Sequence, residues 1–211
     1  MSVSKPSFWE RYVVPPMIAC ACSNRVIERQ RAKVVPGASG RVLELGLGSG
    51  LNLPYYDAAK VASLEAVEPS EGLRRKGEAA GAAAAIPTHI VDGRAEALPY
   101  ETGSFDCVVC TFTLCSVQDP AATLAEARRV LKPGGRFIFC EHGLAPDADV
   151  VKWQRRIEPF WTPFAGGCHL TRPVASSIQA AGFRVTRLET MYLPKTPRVL
   201  GWNEWGEATP V

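Results

Sequence analysis

Short apolar runs alternate with helical segments from residue 41 onward, and this pattern predicts a parallel sheet covered by helices on both faces. The clearest helix begins at Asp119-Pro120, where a capping residue precedes a proline at the first helical position. We expect that helix to end at Lys132-Pro133-Gly134-Gly135. The predicted strands are Arg41 to Leu45, Leu64 to Glu68, Thr88 to Val91, Phe105 to Cys110 and Arg136 to Cys140.

The pattern changes towards the end of the chain. A helix is predicted from about Thr171 to Gly182, because a glycine commonly follows a helix end. Two β-like runs follow, Phe183 to Glu189 and Val199 to Gly206, and the loop between them is too short for a crossover helix. We therefore expect these last two strands to be antiparallel neighbours.

The first 36 residues predict a helical cap on the domain. A helix from Ser23 to Val35, capped by Ser23 and ended by Pro36, follows an aromatic apolar stretch from Phe8 to Met17. That stretch either covers a ligand site or packs on the domain.

The run from Tyr12 to Cys22 imitates a signal peptide, but Pro15-Pro16 interrupts it and it is too short to cross a bilayer. We therefore expect a cytoplasmic protein with no membrane span; contact with a membrane surface stays open.

Size and charge narrow the possible functions. A chain of 211 residues is long enough for one sizeable core and short for two. Its 24 basic and 21 acidic residues are dispersed, without the basic stripe that nucleic-acid binding requires. We therefore expect one domain and no nucleic-acid partner.

The seven cysteines favour a reducing compartment, because several lie in apolar runs where a thiol acts as a small hydrophobe. The pair Cys107-x-x-Cys110 looks like a metal or redox motif. It lies in a predicted strand, however, where residues three apart point to opposite faces. No metal site is predicted.

A strand followed by a glycine loop is the strongest candidate for chemistry. Gly46-x-Gly48-x-Gly50 permits tight turning and close approach of a ligand to the backbone. A dinucleotide fingerprint requires Gly-x-Gly-x-x-Gly, and Leu51 stands at its last position. Glu68, at the end of the second strand, is suited to accept hydrogen bonds from ribose hydroxyls in either kind of site.

Five blocks in order resemble the class I S-adenosylmethionine-dependent methyltransferases over residues 41 to 141. They are Glu44-x-Gly46-x-Gly48-x-Gly50, Glu68-Pro69-Ser70, Gly93-Arg94-Ala95-Glu96-x-Leu98-Pro99, Ser104-Phe105-Asp106 and Leu131-Lys132-Pro133-Gly134-Gly135. The resemblance implies a doubly wound, seven-stranded, mostly parallel α/β sheet with its last two strands antiparallel. It also implies S-adenosylmethionine as cofactor and S-adenosylhomocysteine as product.

The resemblance further implies which residues hold the cofactor. Glu44 and the glycine loop would lie at its methionine end, Glu68 at the ribose, Arg94-Ala95 beside the adenine, and Thr111 to Cys115 near the sulfonium. The full expected set is Glu44, Gly46, Leu47, Gly48, Ser49, Gly50, Asn52, Glu68, Pro69, Ser70, Gly93, Arg94, Ala95, Glu96, Thr111, Leu114 and Cys115.

A narrower likeness involves Thr113 to Val117, Phe139-Cys140-Glu141-His142 and Gly167 to Arg172. These segments look like the methyltransferase-like proteins that include animal membrane-associated thiol methyltransferases. His169 stands where that group is expected to have asparagine, and we expect no counterpart of the long N-terminal anchor of the animal proteins. The likeness implies a small, apolar acceptor, which we take to be a thiol; a lipid amine or a quinone precursor is the alternative.

A thiol or hydroxyl acceptor needs a base nearby, and His142, at the end of the fifth strand, is the first candidate, with Glu141 in reserve. The competing interpretation of His142 is a packing histidine. The insertion Gly143 to Arg172 either forms a lid and acceptor wall or packs an amphipathic helix on the domain. Its candidate acceptor-site residues are Trp153, Trp161, Phe164, Cys168 and His169.

The expected organisation is a single methyltransferase domain: cap 1–36, core 41–141, insertion 143–172 and terminal strands 183–206. Two other function classes remain open from the residues: an NAD-dependent oxidoreductase and a non-catalytic S-adenosylmethionine-binding protein. The glycine spacing disfavours the first, and turnover with any acceptor would exclude the second. The sequence contains no indication of oligomeric state.

Overall fold

A seven-stranded sheet forms the centre of residues 23–211, the part of the chain that the computed structural model describes. The strands are β1 (Gly40–Leu45), β2 (Val61–Val67), β3 (Thr88–Val91), β4 (Phe105–Thr111), β5 (Leu131–His142), β6 (Phe183–Tyr192) and β7 (Trp202–Pro210). They lie in the order β3-β2-β1-β4-β5-β7-β6. The predicted doubly wound sheet is confirmed.

Strand direction changes only near one edge of this sheet. The strands β3, β2, β1, β4 and β5 are parallel to one another, whereas β7 runs antiparallel to both β5 and β6. The predicted antiparallel pairing of the last two strands is confirmed, and β7 lies inserted between β5 and β6. The strand order reverses between β1 and β4, so the carboxyl ends of these strands open a crevice of the kind that binds ligands in doubly wound sheets.

Helix α1 precedes β1, and helices α2 to α6 lie between later strands. They are α1 (Arg25–Val34), α2 (Glu71–Ala82), α3 (Pro120–Val130), α4 (Ala148–Phe164), α5 (Val174–Ala180) and α6 (Arg198–Gly201), with 3-10 turns at Val35–Gly37 and Leu53–Tyr55. The Asp119 side chain caps α3 by accepting from the Ala122 amide at 3.0 Å, as the sequence predicts. The insertion after β5 consists mainly of α4. No helix among residues 23–211 is both long and apolar enough to cross a membrane.

Three predicted boundaries were wrong in detail. Asn24, not Ser23, caps α1, because its Oδ1 accepts from the amides of Val26 and Ile27. The run predicted as a strand from Val199 begins with the helical turn of α6, and β7 starts at Trp202. Strand β5 starts at Leu131, before the Pro-Gly-Gly segment that was predicted only to end the preceding helix. The apolar stretch Phe8 to Met17 lies outside the described residues.

Alternating side chains of the sheet enter two hydrophobic clusters. Leu43 and Cys110 pack with residues of α3 and α5, whereas Val42 and Cys107 pack in the cluster that includes residues of α1. The prediction that Cys107 and Cys110 point to opposite faces is therefore confirmed, and both thiols fill apolar space.

Candidate active site

The chain leaves β1 through a turn that only glycines fit well. Gly46, Gly48 and Gly50 have φ angles of +67°, +62° and +82°, in the left-handed region that disfavours other residues. A Cβ added to Gly46 would lie 2.5 Å from Oγ1 of Thr113, in the loop after β4. A Cβ added to Gly48 would meet no atom within 4 Å, so open space reaches the backbone there.

Glu68 follows β2 and holds the glycine turn. Its Oε2 accepts from the Gly48 amide at 2.9 Å and its Oε1 from the Ser70 amide at 2.8 Å. Burial raises the pKa of this carboxyl, and the two amide hydrogen bonds oppose the rise. Each oxygen can accept a further hydrogen bond from a ligand, because a carboxylate has about four lone-pair sites.

A buried polar network lies behind the turn. Glu44 accepts hydrogen bonds from Tyr56 Oη at 2.6 Å and from Asn52 Nδ2 at 2.9 Å. Arg31, on α1, donates to Asn52 Oδ1 and to Thr111 Oγ1, both at 2.8 Å. Burial raises the pKa of Glu44 to about 7, although Tyr56, Arg31 and Asn52 all act to lower it. Among residues 23–211, the buried Nε of Arg31 has no hydrogen-bond partner.

The crevice at the carboxyl ends of β1 and β4 is a cavity of about 620 Å³. Of the residues predicted to hold the cofactor, the structure brings eleven to its wall: Gly46, Leu47, Gly48, Ser49, Glu68, Pro69, Ser70, Arg94, Ala95, Glu96 and Thr111. We call Gly46–Ser49 and Glu68–Ser70 the glycine-loop side. The other predicted residues, Glu44, Gly50, Asn52, Gly93, Leu114 and Cys115, do not line the cavity.

Most of these remaining residues lie directly behind the wall. Glu44 and Asn52 belong to the buried network, and a Cβ on Gly50 would meet Leu53 and Ala80. A Cβ on Gly93 would come within 3.2 Å of Val67. Their geometry is that of supports for the wall.

The opposite wall, which we call the β5 side, consists of Thr113 and Ser116–Gln118 after β4 and of Thr162, Pro163, Gly166 and Gly167 around the end of α4. Glu141, fully buried near the end of β5, anchors it. The Glu141 carboxylate accepts from the amides of Thr113, Leu114 and Cys115 at 2.9, 3.0 and 3.3 Å. Burial raises the Glu141 pKa, and those amides oppose the rise. With its oxygens so engaged, Glu141 has the geometry of a loop anchor.

Arg172 fixes the same loop from the other direction. Its guanidinium donates to the carbonyl oxygens of Leu114 and Val117. Glu96 Oε1 accepts from the amide of Gln118 at 2.8 Å, so the loop is also tied to the segment that follows β3.

Two cysteines and a histidine meet behind the β5 side. Nδ1 of His142 lies 3.3 Å from Sγ of Cys168, and the ligand atoms of Cys115, His142 and Cys168 all lie within 4.8 Å of one another. The neighbouring Cys168 thiol and burial raise the pKa of Cys115 well above its usual range. His142 and Cys168, predicted separately as base and acceptor-site residue, are therefore direct neighbours.

The remaining predicted acceptor-site residues lie apart from the cavity wall. His169 Nδ1 is 3.3 Å from Glu158 Oε1. Although burial raises it, the Glu158 pKa falls below its usual value because Thr171 and His169 interact with the carboxylate. Trp153 and Phe164 are 55% and 60% exposed on α4, and Trp161 is partly buried. None of these aromatic residues lines the cavity, whereas Thr162 and Pro163 of the same helix do.

Sequence reasoning missed Arg31, and it included Phe112 only within the range Thr111 to Cys115, without a role of its own. Arg31 lines the cavity from α1, and Phe112 is a cavity residue with a φ of +52°. The available signal for Arg31 was its place on the helix face that also carries the apolar Val34. Nothing in the local sequence indicated the strained conformation of Phe112.

Residues 43–139 match the family model of the methyltransferase domain. The chain is 36% identical over 178 residues to thiol S-methyltransferase TMT1B of Rattus norvegicus, which covers 80% of this chain and 73% of the rat protein. Against TMT1B of Homo sapiens the identity is 34% over 194 residues, or 85% and 80% of the two chains. The chain belongs to the S-adenosylmethionine-dependent methyltransferases. The predicted family and enzyme class are confirmed.

Other similar proteins of this family differ in their substrates. A demethylmenaquinone methyltransferase of Clavibacter sepedonicus is 37% identical over 113 residues, which cover 54% of this chain and 45% of that protein. In structure, a SAM-dependent methyltransferase from Thermotoga maritima superposes with a TM-score of 0.67 at 22% identity, over 95% of this chain and 97% of the other. At that identity the likeness shows the class I methyltransferase fold alone.

Proposed function

We propose that this methyltransferase transfers a methyl group from S-adenosylmethionine to a small apolar thiol. The observation that carries the proposal is the 36% identity to a thiol S-methyltransferase over 80% of this chain. The thiols of Cys115 and Cys168 and the imidazole of His142 support it, because they are polar groups beside the cavity wall: Ser116 and Gly167, adjacent in the chain to the two cysteines, line the cavity.

The residues of the glycine-loop side fit the cofactor. Open space beside Gly48 admits a ligand to the backbone, and Glu68 is held at the end of β2 with lone pairs left for ribose hydroxyls. We assign the ribose to Glu68, the adenine surroundings to Arg94–Glu96, and the methionine end to Gly46–Ser49 with Arg31 and Thr111. When bound, S-adenosylmethionine supplies the electrophilic methyl group.

The protein then has to position the acceptor sulfur and favour its thiolate form. Thr113 and Ser116–Gln118 bound the space opposite the glycine loop, and Glu141 and Arg172 keep that loop in place. We propose that His142 favours the acceptor thiolate and that Glu141 acts as a positioning residue. A thiolate is the nucleophilic form, and a free thiol has a pKa of about 8.5.

A screen of thiols, amines, phenols and quinone precursors with methyl-labelled cofactor tests the acceptor class. We expect label transfer to apolar thiols and formation of S-adenosylhomocysteine. Transfer confined to quinone precursors would favour the second candidate, which the similarity to the demethylmenaquinone methyltransferase supports. Cofactor binding without turnover on any acceptor would indicate a non-catalytic protein.

The role of His142 is tested by His142→Ala. We expect turnover to fall much more than cofactor affinity, and the loss to shrink above the acceptor pKa of about 8.5, where solvent deprotonates the thiol. His89→Ala is the matched control, because His89 is an exposed residue of β3 whose Nδ1 lies 3.0 Å from Glu65. A loss that does not vary with pH would show that His142 acts by position alone.

A further inference from the structure

We propose that Cys115, His142 and Cys168 are the protein ligands of one zinc ion. Their ligand atoms lie within 4.8 Å of one another, with Nδ1 of His142 3.3 Å from Sγ of Cys168. Zinc binds thiolate at about 2.3 Å and imidazole at about 2.0–2.1 Å, so tetrahedral ligand atoms are about 3.5–3.8 Å apart. Side-chain shifts of about 1 Å would complete this geometry.

The backbone already holds the three ligands in place. The Cys115 carbonyl accepts from the His169 amide at 2.8 Å, which ties the two cysteine-bearing loops together. The Cys168 carbonyl accepts from Thr162 Oγ1 at 3.2 Å. His142 pairs with Asn203 of β7 at the end of β5. Three separate segments thus bring the ligands together, and only side-chain rotations remain to be fixed when a metal binds.

The donor set points to zinc among common metals. Two thiols and an imidazole are soft or intermediate ligands, which suit zinc, whereas calcium and magnesium require oxygen ligands. The buried thiols of Cys107, Cys110 and Cys140 belong to the hydrophobic clusters of the sheet. Cys115 is equally buried but belongs to neither of those clusters within residues 23–211, so packing alone does not explain its position.

Three protein ligands leave a fourth zinc position for substrate or water. This step rests on the proposed function and on the position of the site beside the cavity wall, where Ser116 and Gly167 adjoin Cys115 and Cys168 in the chain. The acceptor thiol would bind zinc there as thiolate and release its proton to solvent. The thiolate sulfur would then attack the methyl carbon of the sulfonium. The bond between the acceptor sulfur and the methyl carbon forms as the bond between that carbon and the sulfonium sulfur breaks. The electron pair of the broken bond stays on the sulfonium sulfur, which becomes the neutral thioether of S-adenosylhomocysteine. His142 would favour the thiolate as a metal ligand.

The test is metal content and cobalt spectroscopy on the full chain. Protein purified without chelator should contain about one zinc per chain, and chelator-treated protein titrated with Co²⁺ should develop tetrahedral d–d bands and thiolate-to-cobalt charge transfer. Cys168→Ser is the main variant. Cys168 is only partly buried, so this substitution should disturb the fold less than one at the buried Cys115. We expect it to lower zinc affinity about 10- to 100-fold or more, since even outer partners of a metal contribute that much.

Cys107→Ala is the matched control, because Cys107 is a buried thiol of the hydrophobic cluster that includes Val42, and it should retain zinc. The site would be overturned if wild type contained no zinc and developed no cobalt spectrum. It would also be overturned if zinc were retained by all three variants Cys115→Ser, His142→Gln and Cys168→Ser. A Cys115–Cys168 disulfide, detected as a thiol count of five among the seven cysteines of wild type and assigned to these two by peptide mapping, would overturn it as well.

The zinc proposal and the thiol proposal can fail independently. Zinc bound by wild type and lost in Cys168→Ser, together with transfer only to quinone precursors, would keep the metal site and reject the thiol acceptor. Thiol methylation at an unchanged rate after complete zinc removal would keep the acceptor and reject the metal's part in the reaction.

Discussion

The glycine-loop side and the β5 side of the cavity are assembled in different ways. The first uses short local segments: one turn after β1 and one carboxylate after β2 that holds it. The second draws on the loop after β4, the end of β5 and the loop after α4, joined by Glu141, Arg172 and the hydrogen bond from His169 to Cys115. A short motif therefore fixes the glycine-loop side, which we propose holds the cofactor, whereas the β5 side, which we propose bounds the acceptor, depends on long-range packing.

The largest effect on stability and cofactor binding should come from a substitution at Gly46, where the glycine-loop side contacts Thr113 of the β5 side. Gly46→Ala would add about 1–2 kcal/mol of left-handed strain and about 1–3 kcal/mol of overpacking against Thr113. We expect S-adenosylhomocysteine affinity and the free energy of unfolding to fall together, as measured by calorimetry and urea denaturation.

Gly48→Ala is its control, because it has a similar φ of +62° and no atom within 4 Å of the added Cβ. In the free energy of unfolding it should show only the strain of about 1–2 kcal/mol, whereas its added methyl group also enters the proposed cofactor space, so the control applies to unfolding and not to affinity. Equal losses of unfolding free energy in both variants would mean that the contact between the two sides has no energetic weight.

A smaller effect concerns the pH response of the buried network behind the glycine loop. Glu44 has a folded pKa of about 7, above its ordinary value of 4.5, so the folded state keeps this proton longer. The contribution of Glu44 to stability is fully present below pH 4.5 and is lost as the pH rises to about 7.

Relative to Glu44→Gln, wild type should lose up to about 3 kcal/mol of unfolding free energy across that window. Denaturant melts at stepped pH measure the difference, with the exposed Glu101→Gln as control. A difference that grows in the opposite direction would show that Glu44 stays ionised in the fold.

The smallest effect is expected on the exposed face of α4. Trp153→Ala should change the free energy of unfolding by less than about 0.5 kcal/mol and leave the acceptor KM nearly unchanged, because Trp153 is 55% exposed and outside the cavity wall. Thr162→Val is the comparison: it removes a hydroxyl that lines the cavity and holds the Cys168 carbonyl. We expect a higher acceptor KM there. A larger effect from Trp153 would extend the acceptor site onto that face.

The sequence predicted the sheet because each strand and its flanking helices carry a local periodicity that burial enforces. It predicted the glycine-loop side because glycines at positions 46, 48 and 50 directly indicate a turn with positive φ angles. The start of β7 was less predictable: Val199 favours a strand, but Pro197 precedes one helical turn at Arg198–Gly201.

The residues of the proposed acceptor site were predicted one by one, and their assembly was not predicted. Cys115, His142 and Cys168 were each singled out, but only folding brings the two thiols to the imidazole. Arg31 was missed because a basic residue on a surface helix is ordinarily solvated. Its burial depends on Asn52 and Thr111, which lie 21 and 80 positions away.

The carboxylate of Glu141 has a kinetic consequence. By accepting from three consecutive amides, it immobilises Thr113–Cys115 before any ligand arrives. Ordering a residue costs about 1–2 kcal/mol of backbone entropy, and here that cost is met during folding. Contact of a ligand with Thr113 therefore requires no rearrangement of Thr113–Cys115, and the encounter rate of the ligand should set how fast that contact forms.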